Sequence, residues 1–329
     1  MDVVRWGLVG TARINRSVVP HMKAAPRHRL EAVASRDASR AASYAREWEV
    51  PHAFGSYEAM LASGAVDAVY VSLPNALHAE WVVRAAEAGL HVLCEKPLAL
   101  TLADVDRMAA AASRAGVVVT EAFMYRHHPQ TARVLELVHH GALGRVRYVR
   151  GSFSYWQDRA DDVRLDPGLG GGCLWDIGCY PVSFARAVMG SEPERVFGWR
   201  VLGRTGVDET FIGQLQFHAD AFAQFDASFR APFRTRMEIV GDDGVLEVTE
   251  PFKPVSGTPL RLRLGDDIEL VDVEPQPLYL GELDDLADAV LLGRPPRVSL
   301  ADSRANVATL VALHQSATLG RPVPLDGHA

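Results

Sequence analysis

The chain is poor in cysteine, with Cys94, Cys173 and Cys179 its only three among 329 residues. An odd count without a C-x-x-C spacing speaks against a disulfide framework and against a zinc site, so reduced thiols in a cytoplasmic protein are expected and no metal is. Basic residues are not in excess: Lys and Arg number 34 against 41 Asp and Glu, a net charge of −7. The basic footprint of a nucleic-acid binder is therefore missing, although local arginines still allow a phosphate-bearing small ligand. No apolar run is long enough for a membrane span, and residues 1–7 lack the charged and apolar regions of a secretory signal. No internal repeat or low-complexity linker interrupts the chain. What it does have is 48% hydrophobic and 23% charged residues, the balance of a globular protein with material for roughly two domains at about 150 residues each.

The first third alternates short apolar runs with amphipathic stretches. Residues 3–9, 30–35, 66–73, 91–93 and 117–120 are rich in Val and Leu and read as buried strands. Helical spacing covers 14–24, 39–47, 57–63, 77–88 and 102–115, and Gly89 and Gly116 follow two of these helices where a left-handed cap is wanted. Pro20, inside the first, should kink or shorten it. Such alternation specifies right-handed crossovers and a doubly wound, mostly parallel sheet, assigned to a domain of residues 1–122.

From residue 123 to 329 the rhythm changes to an α+β domain with a large, open, mainly antiparallel sheet. A helix over 130–140 precedes alternating segments at 146–156, 196–201, 211–218, 221–229 and 235–240, with a tight turn at 242–244. In 221–229 the bulky apolar residues do not keep period two, which predicts a bulge or burial on two sides. Helices return at 283–292 and 300–319. An open sheet face with few helices to cover it predicts a homodimer or larger homo-oligomer.

The stretch GLVGTARIN at 7–15 follows the first strand and opens the first helix. A dinucleotide pyrophosphate needs a tight turn, close backbone approach and helix N-terminal amides. Gly10 supplies the turn, Ala12 nearly the approach of a glycine, and Thr11, Arg13 and Ile14 the remaining backbone. Asn15 stands where a third small residue is usual, so the strict G-x-G-x-x-G pattern is not met. Some 25 residues further on, the second strand ends in Ser35 and Arg36, with Arg40 a helical turn beyond. A hydroxyl and two guanidinium groups suit a 2′-phosphate, which favours NADP with NAD as the alternative, while Asp37 is placed to cap the next helix.

Three further motifs, LPNALH at 73–78, GLHVLCEKP at 89–97 and GGGCLWDIGCY at 170–180, occur in this order. With them the chain closely resembles the Gfo/Idh/MocA family over nearly its whole length. That family includes glucose-fructose oxidoreductase, inositol dehydrogenases, dimeric dihydrodiol dehydrogenase and sugar ketoreductases. The resemblance implies that Lys96 lies at the carboxyl edge of the first sheet, near the substrate and the nicotinamide ribose, with Glu95 facing the cofactor and Pro97 a candidate cis bond. It implies that Asp176 orients the substrate and that Tyr180, four residues on, exchanges the hydroxyl proton with help from Lys96. Leu73, Asn75 and His78 resemble the family's cofactor loop, Arg164 an arginine that reaches the cofactor, and Tyr279 a contact at the nicotinamide end. Tyr125 to His128 could border the substrate pocket, but adjacent histidines share no face, so they make no metal site.

These features point to an NADP(H)-dependent oxidoreductase acting on a hydroxyl or carbonyl carbon of a sugar, cyclic polyol or dihydrodiol. Residues 152–180 look closest to the dihydrodiol and xylose dehydrogenase branch, with Trp156 and Phe123 available to stack on a ring. Two rival readings stand beside it. A non-catalytic dinucleotide sensor would need the phosphate turn and Arg36 but not Lys96, Asp176 and Tyr180. An enzyme with tightly held cofactor would couple two sugar substrates.

Overall fold

The computed structural model describes residues 2–325 apart from Ala219 and 255–257. Two compact units are present: Met1–His127 with Pro277–Arg304, and His128–Gln276 with Ala305–Ala329.

The first unit is built on six parallel strands, β1 (Val4–Val9), β2 (His28–Ala34), β3 (His52–Phe54), β4 (Ala68–Val71), β5 (His91–Glu95) and β6 (Val119–Ala122), in the order β3-β2-β1-β4-β5-β6. The helices between them are α1 (Asn15–Ala24), α2 (Ala38–Trp48), α3 (Tyr57–Leu61), α4 (His78–Glu87) and α5 (Leu102–Ala115). The order reverses between β1 and β4, and ligands of such sheets bind beyond the carboxyl ends of the strands at this switch point. Start signals are explicit: Asp37, Ser56 and Thr101 side chains accept amide protons from the first turns of α2, α3 and α5. Gly116 closes α5 at φ 67°, and Gly89, just beyond the last turn of α4, has φ 78°, both as the sequence predicts. The Pro20 expectation is corrected, because α1 runs on to Ala24 with Pro20 on its exposed side.

Trp6, Leu8, Val18, Met22, Tyr70 and Leu93 form the heart of one apolar cluster. Leu283, Leu286 and Ala287 of a later helix, α8 (Leu280–Leu292), belong to the same cluster. Burying these side chains against the sheet is what joins 277–304 to the first unit, although the sequence reading grouped them with residues 123–329; about 1.5–3 kcal/mol per fully buried Leu favours it.

The second unit holds α6 (Pro129–His139), α7 (Cys179–Met189), most of α9 (Leu300–Leu319) and nine strands. These are β7 (Val146–Ser154), β8 (Arg195–Leu202), β9 (Asp208–Gln216), β10 (Phe222–Ser228), β11 (Arg234–Gly241), β12 (Gly244–Val248), β13 (Leu260–Leu264), β14 (Asp267–Val271) and β15 (Val323–Pro324). Their order is β14-β13-β12-β11-β7-β10-β9-β8-β15, antiparallel except for the β7–β10 pair. Phe153, Phe211, Phe225, Met237, Ile239, Leu246 and Leu262 are buried, while Tyr148, Trp199, Ile212, Phe222, Ile268 and Leu270 are half-buried or exposed. The cross-strand pairs Trp199↔Ile212, Gln216↔Phe222 and Phe222↔Tyr148 put this second set on one outward face.

Of the two alternatives expected for 221–229, β10 has no bulge, while burial on two sides appears at its end, where Ala227, Ser228 and Phe229 are buried in succession. Its register is continuous on both sides, with Ala223, Phe225 and Ala227 inward and Phe222 outward. Period two was obscured because the inward positions include small alanines and one outward position is aromatic. The strands β13 and β14 went unread, although Leu260 to Leu264 alternates Leu with Arg and carries the signal.

Candidate functional site

At the end of β1 the chain turns through Gly10 at φ 106°, and a Cβ there would lie 2.9 Å from Leu73. Only glycine is comfortable in that conformation and that space. The Gly10 amide donates to the Ala34 carbonyl, and the buried Asn15 side chain donates to the Gly10 carbonyl at 3.0 Å. Asn15 thus does by hydrogen bonding what a third small residue does by close packing. The amides of Thr11, Ala12, Arg13 and Ile14 have no partner among the described residues, and α1 has neither a side-chain cap nor an acid in its first turn. Four successive free donors at a helix start form an anion cradle, so these residues fit a dinucleotide pyrophosphate. The Ile14 side chain packs on the core, which leaves its backbone for the ligand.

Ser35 is buried at the end of β2, whereas Arg36 and Arg40 are exposed beyond it. Burial raises the Tyr57 phenol above its ordinary range despite the nearby Arg36 guanidinium. Asp37 accepts from the Ser39 hydroxyl at 2.7 Å and from the amides of Arg40 and Ser39 at 3.1 and 2.8 Å, which holds its pKa down and leaves it a cap as expected. Exposed cations beyond the strand, with Asp37 engaged as a cap, suit a phosphate on the ribose.

Beyond β4, Asn75 opens a short 3₁₀ turn, and His78 begins α4. His78 is fully buried, its ring nitrogens 2.8 Å from the Leu73 carbonyl and 2.9 Å from that of Pro97. It joins the cofactor loop to the turn that follows β5, rather than presenting itself to a ligand. The Lys96–Pro97 bond is cis, and the buried Glu121 carboxylate accepts from the next amide, Leu98, at 2.7 Å. Lys96 is therefore half-buried at the carboxyl end of β5 in a turn gripped from both sides.

Glu95 accepts a hydrogen bond from the buried Tyr70 hydroxyl. Tyr279, half-buried just before α8, stacks on His21 at 6.5 Å and is raised above its ordinary range by burial. Glu282 lies close enough to feel the Glu95 charge, and both its oxygens are buried without a partner. Desolvation first, and Glu95 second, push its carboxyl well above the usual range.

The second unit carries the other motif. Leu174–Gly178 is one turn of π-helix, leading directly into α7 at Cys179. Inserted turns of this kind are frequent at functional sites. Asp176 lies within it and is half-buried; Tyr180, 5% exposed, lies in the first turn of α7 between the rings of Phe153 and Phe252 at 5.4 and 5.3 Å. Asp176 Oδ2 accepts from the Tyr155 hydroxyl at 2.8 Å and from Arg164 Nε at 2.9 Å. Arg164 also donates to Asp162 at 3.1 Å, and its carbonyl receives the Gly172 amide. A Cβ on Gly171 would meet that carbonyl at 2.4 Å, which explains a glycine there. Arg164, expected at the cofactor, is thus bonded to Asp176 and Asp162, and the Asp176 charge raises its pKa further. Burial, with Asp176 beside it, raises the Tyr155 phenol, so this group is a neutral donor.

Tyr155 was not singled out from the sequence as a site residue. Its spacing from Phe153 puts it on the inward side of the strand extension, which was the available signal. Of the histidine run, His127 is buried and His128 caps α6 through the Gln130 amide. No cluster of potential metal ligands and no membrane-length apolar helix occurs among the described residues.

Residues 4–123 match the profile of the oxidoreductase family with NAD-binding Rossmann fold, and residues 131–247 that of the GFO/IDH/MocA C-terminal domain. The chain is 41% identical over 326 residues to a D-xylose 1-dehydrogenase (NADP(+)) of Haloferax volcanii, covering 98% of this chain and 99% of that one. It is 34% identical over 250 residues, 74% of each chain, to a trans-1,2-dihydrobenzene-1,2-diol dehydrogenase of Xenopus laevis. A crystal structure of a 3-ketoreductase from Actinomadura kijaniata in complex with NADP and TDP-benzene superposes with a TM-score of 0.90 at 31% identity, over 95% of this chain and 98% of that one. The chain belongs to the GFO/IDH/MocA family of NAD(P)-dependent oxidoreductases acting on CH–OH groups.

Proposed function

We propose that the protein is an NADP-dependent dehydrogenase of a sugar, with D-xylose the first substrate to test, and that Asp176, Tyr180 and Lys96 carry the proton chemistry. The observation that carries this reading is the clamping of Asp176 by Tyr155 and Arg164 on the turn that leads into Tyr180. A carboxylate oxygen receiving two donors is fixed in place, which suits the group to orient a substrate hydroxyl. Tyr180 exchanges the proton of the reacting hydroxyl through its phenolic oxygen. A free phenol ionises near pH 10, so the cation of Lys96 supplies the opposite charge that favours the phenolate near neutrality. The aromatic walls of Phe153 and Phe252 keep water from the phenol. When bound, the nicotinamide supplies the hydride acceptor or donor.

Preference for NADP is supported by the exposed Arg36 and Arg40 beyond β2 and by the name of the Haloferax relative. A dihydrodiol is the second substrate class, favoured by the named activity of the Xenopus relative. Three buried cysteines in the thiol form, none in a disulfide, suit a reducing cytoplasm. The outward aromatic face of the second sheet supports self-association.

The test is nicotinamide absorbance with NADP⁺ or NAD⁺ against D-xylose, other aldoses, inositols and trans-dihydrodiols. Turnover should appear with a pentose and fall at least 100-fold in Lys96→Ala and Tyr180→Phe, in line with the usual ~10²–10⁴ for a positioned acid–base group. Full turnover in both variants would overturn the assignment. Tight NADPH binding without turnover on any substrate would favour a dinucleotide sensor.

A further inference from the structure

Asp208, the first residue of β9, is 3% exposed and has no Lys or Arg among its recorded ion pairs. Its Oδ2 accepts the Leu174 amide at 2.7 Å and the Cys173 thiol at 3.1 Å. Leu174 is the first residue of the π turn. Asp208 Oδ1 faces Gly172, where a Cβ would stand only 2.4 Å away, at a φ of 124°. On the same oxygen, His314 Nε2 approaches to 3.9 Å, and its ring packs on Trp175 of the π turn at 5.0 Å. Burial keeps both the Cys173 thiol and the His314 imidazole in their neutral forms. The buried carboxylate is therefore matched by helix-terminal donors and not by a cation, an N-cap supplied from a strand 34 residues away in sequence.

We propose that Asp208 is a positioning residue for the reaction: as a long-range cap it fixes the start of the π turn, and through that turn the placement of Asp176 and Tyr180. This rests on the proton-transfer reading given above. The role belongs to the acceptor oxygen and its geometry. An amide oxygen at the same place can take the Leu174 proton.

The test compares Asp208→Asn and Asp208→Ala with wild type in two measurements. Hydrogen–deuterium exchange followed by mass spectrometry reads peptides covering 172–180, with a β7 peptide as internal reference. Steady-state kinetics with NADP⁺ and D-xylose read kcat and both KM values. Asp208→Ala should speed exchange in 172–180 at least tenfold without changing the β7 peptide, and lower kcat at least 30-fold with the KM for NADP⁺ within threefold. Asp208→Asn should restore kcat to within about threefold of wild type. Unchanged exchange in Asp208→Ala, or faster exchange with unchanged kcat, overturns the proposal, as does an Asn variant no better than the Ala one. If Asp208→Ala yields no folded protein, Asp208→Asn decides alone: a tenfold or greater loss of kcat refutes the acceptor role. Failure of the underlying reading shows separately, as wild-type turnover that does not depend on Tyr180.

Discussion

Tyr155 and Arg164 donate to the same oxygen of Asp176, one from the end of β7 and one from the loop before the glycine run. Two donors converging on one carboxylate oxygen hold the side chain in one orientation. Removing the Tyr155 hydroxyl takes away one of them without exposing a new apolar surface, because its ring stays packed on Phe229 at 5.3 Å. Tyr155→Phe should raise the KM for the sugar or diol about five- to twentyfold, matching the ~1.5–3 kcal/mol hydrogen bond to a charged group discounted for the remaining Arg164. NADPH affinity should not change. Initial-rate kinetics and fluorescence titration of NADPH check both halves.

Arg36 stands beyond β2 with no acid competing for it, since Asp37 is committed to the α2 amides. Arg36→Ala should weaken NADPH binding roughly ten- to 100-fold, as expected for loss of a charge-assisted contact. NADH binding should change less than threefold. Equal losses for the two dinucleotides in calorimetric titrations would remove the 2′-phosphate assignment.

Glu282 is buried with neither oxygen partnered, and its folded pKa lies well above the unfolded value. The sign follows from proton binding: the folded state holds the proton more tightly, so the carboxyl stabilises at low pH. That contribution is lost as pH rises from the unfolded pKa of about 4.3 towards the folded one, at up to ~1.4 kcal/mol per pH unit. Glu282→Gln has no proton to lose. Urea unfolding at pH 5, 6, 7 and 8 should show the variant gaining on wild type with each step, and a constant difference would contradict it.

The outward face of the second sheet exposes Trp199 at 55% and Ile212 at 46%, paired across β8 and β9, with Phe222 at 47% on β10. Exposed aromatic and aliphatic side chains gathered on one sheet face are costly in water for a lone chain. The purified protein should sediment as a dimer or larger species. Trp199→Glu with Phe222→Glu should shift it to monomer at micromolar concentration while leaving the circular dichroism spectrum intact.

Much of this protein is written in local sequence. Short Val- and Leu-rich runs separated by helical spacing specify a parallel sheet, because strands buried on both faces need continuous apolar residues and crossovers need helices. Gly10 was legible because a turn with positive φ requires glycine, and Asp37 because a helix start requires an acceptor. Lys96, Asp176 and Tyr180 were legible as motifs, and the structure gives each a local setting.

The tertiary structure decided the rest. That His78 reaches the Pro97 carbonyl, and that Tyr155, Arg164 and Asp208 hold the turn before Tyr180, depend on partners 12 to 34 residues apart in the chain. So does the inclusion of α8 in the first unit, where Leu283 and Leu286 join the core of β1 and α1. Sequence periodicity reports which face of an element is buried. It does not report which distant side chain meets that face, since hydrogen-bond partners are chosen by packing after the elements have formed.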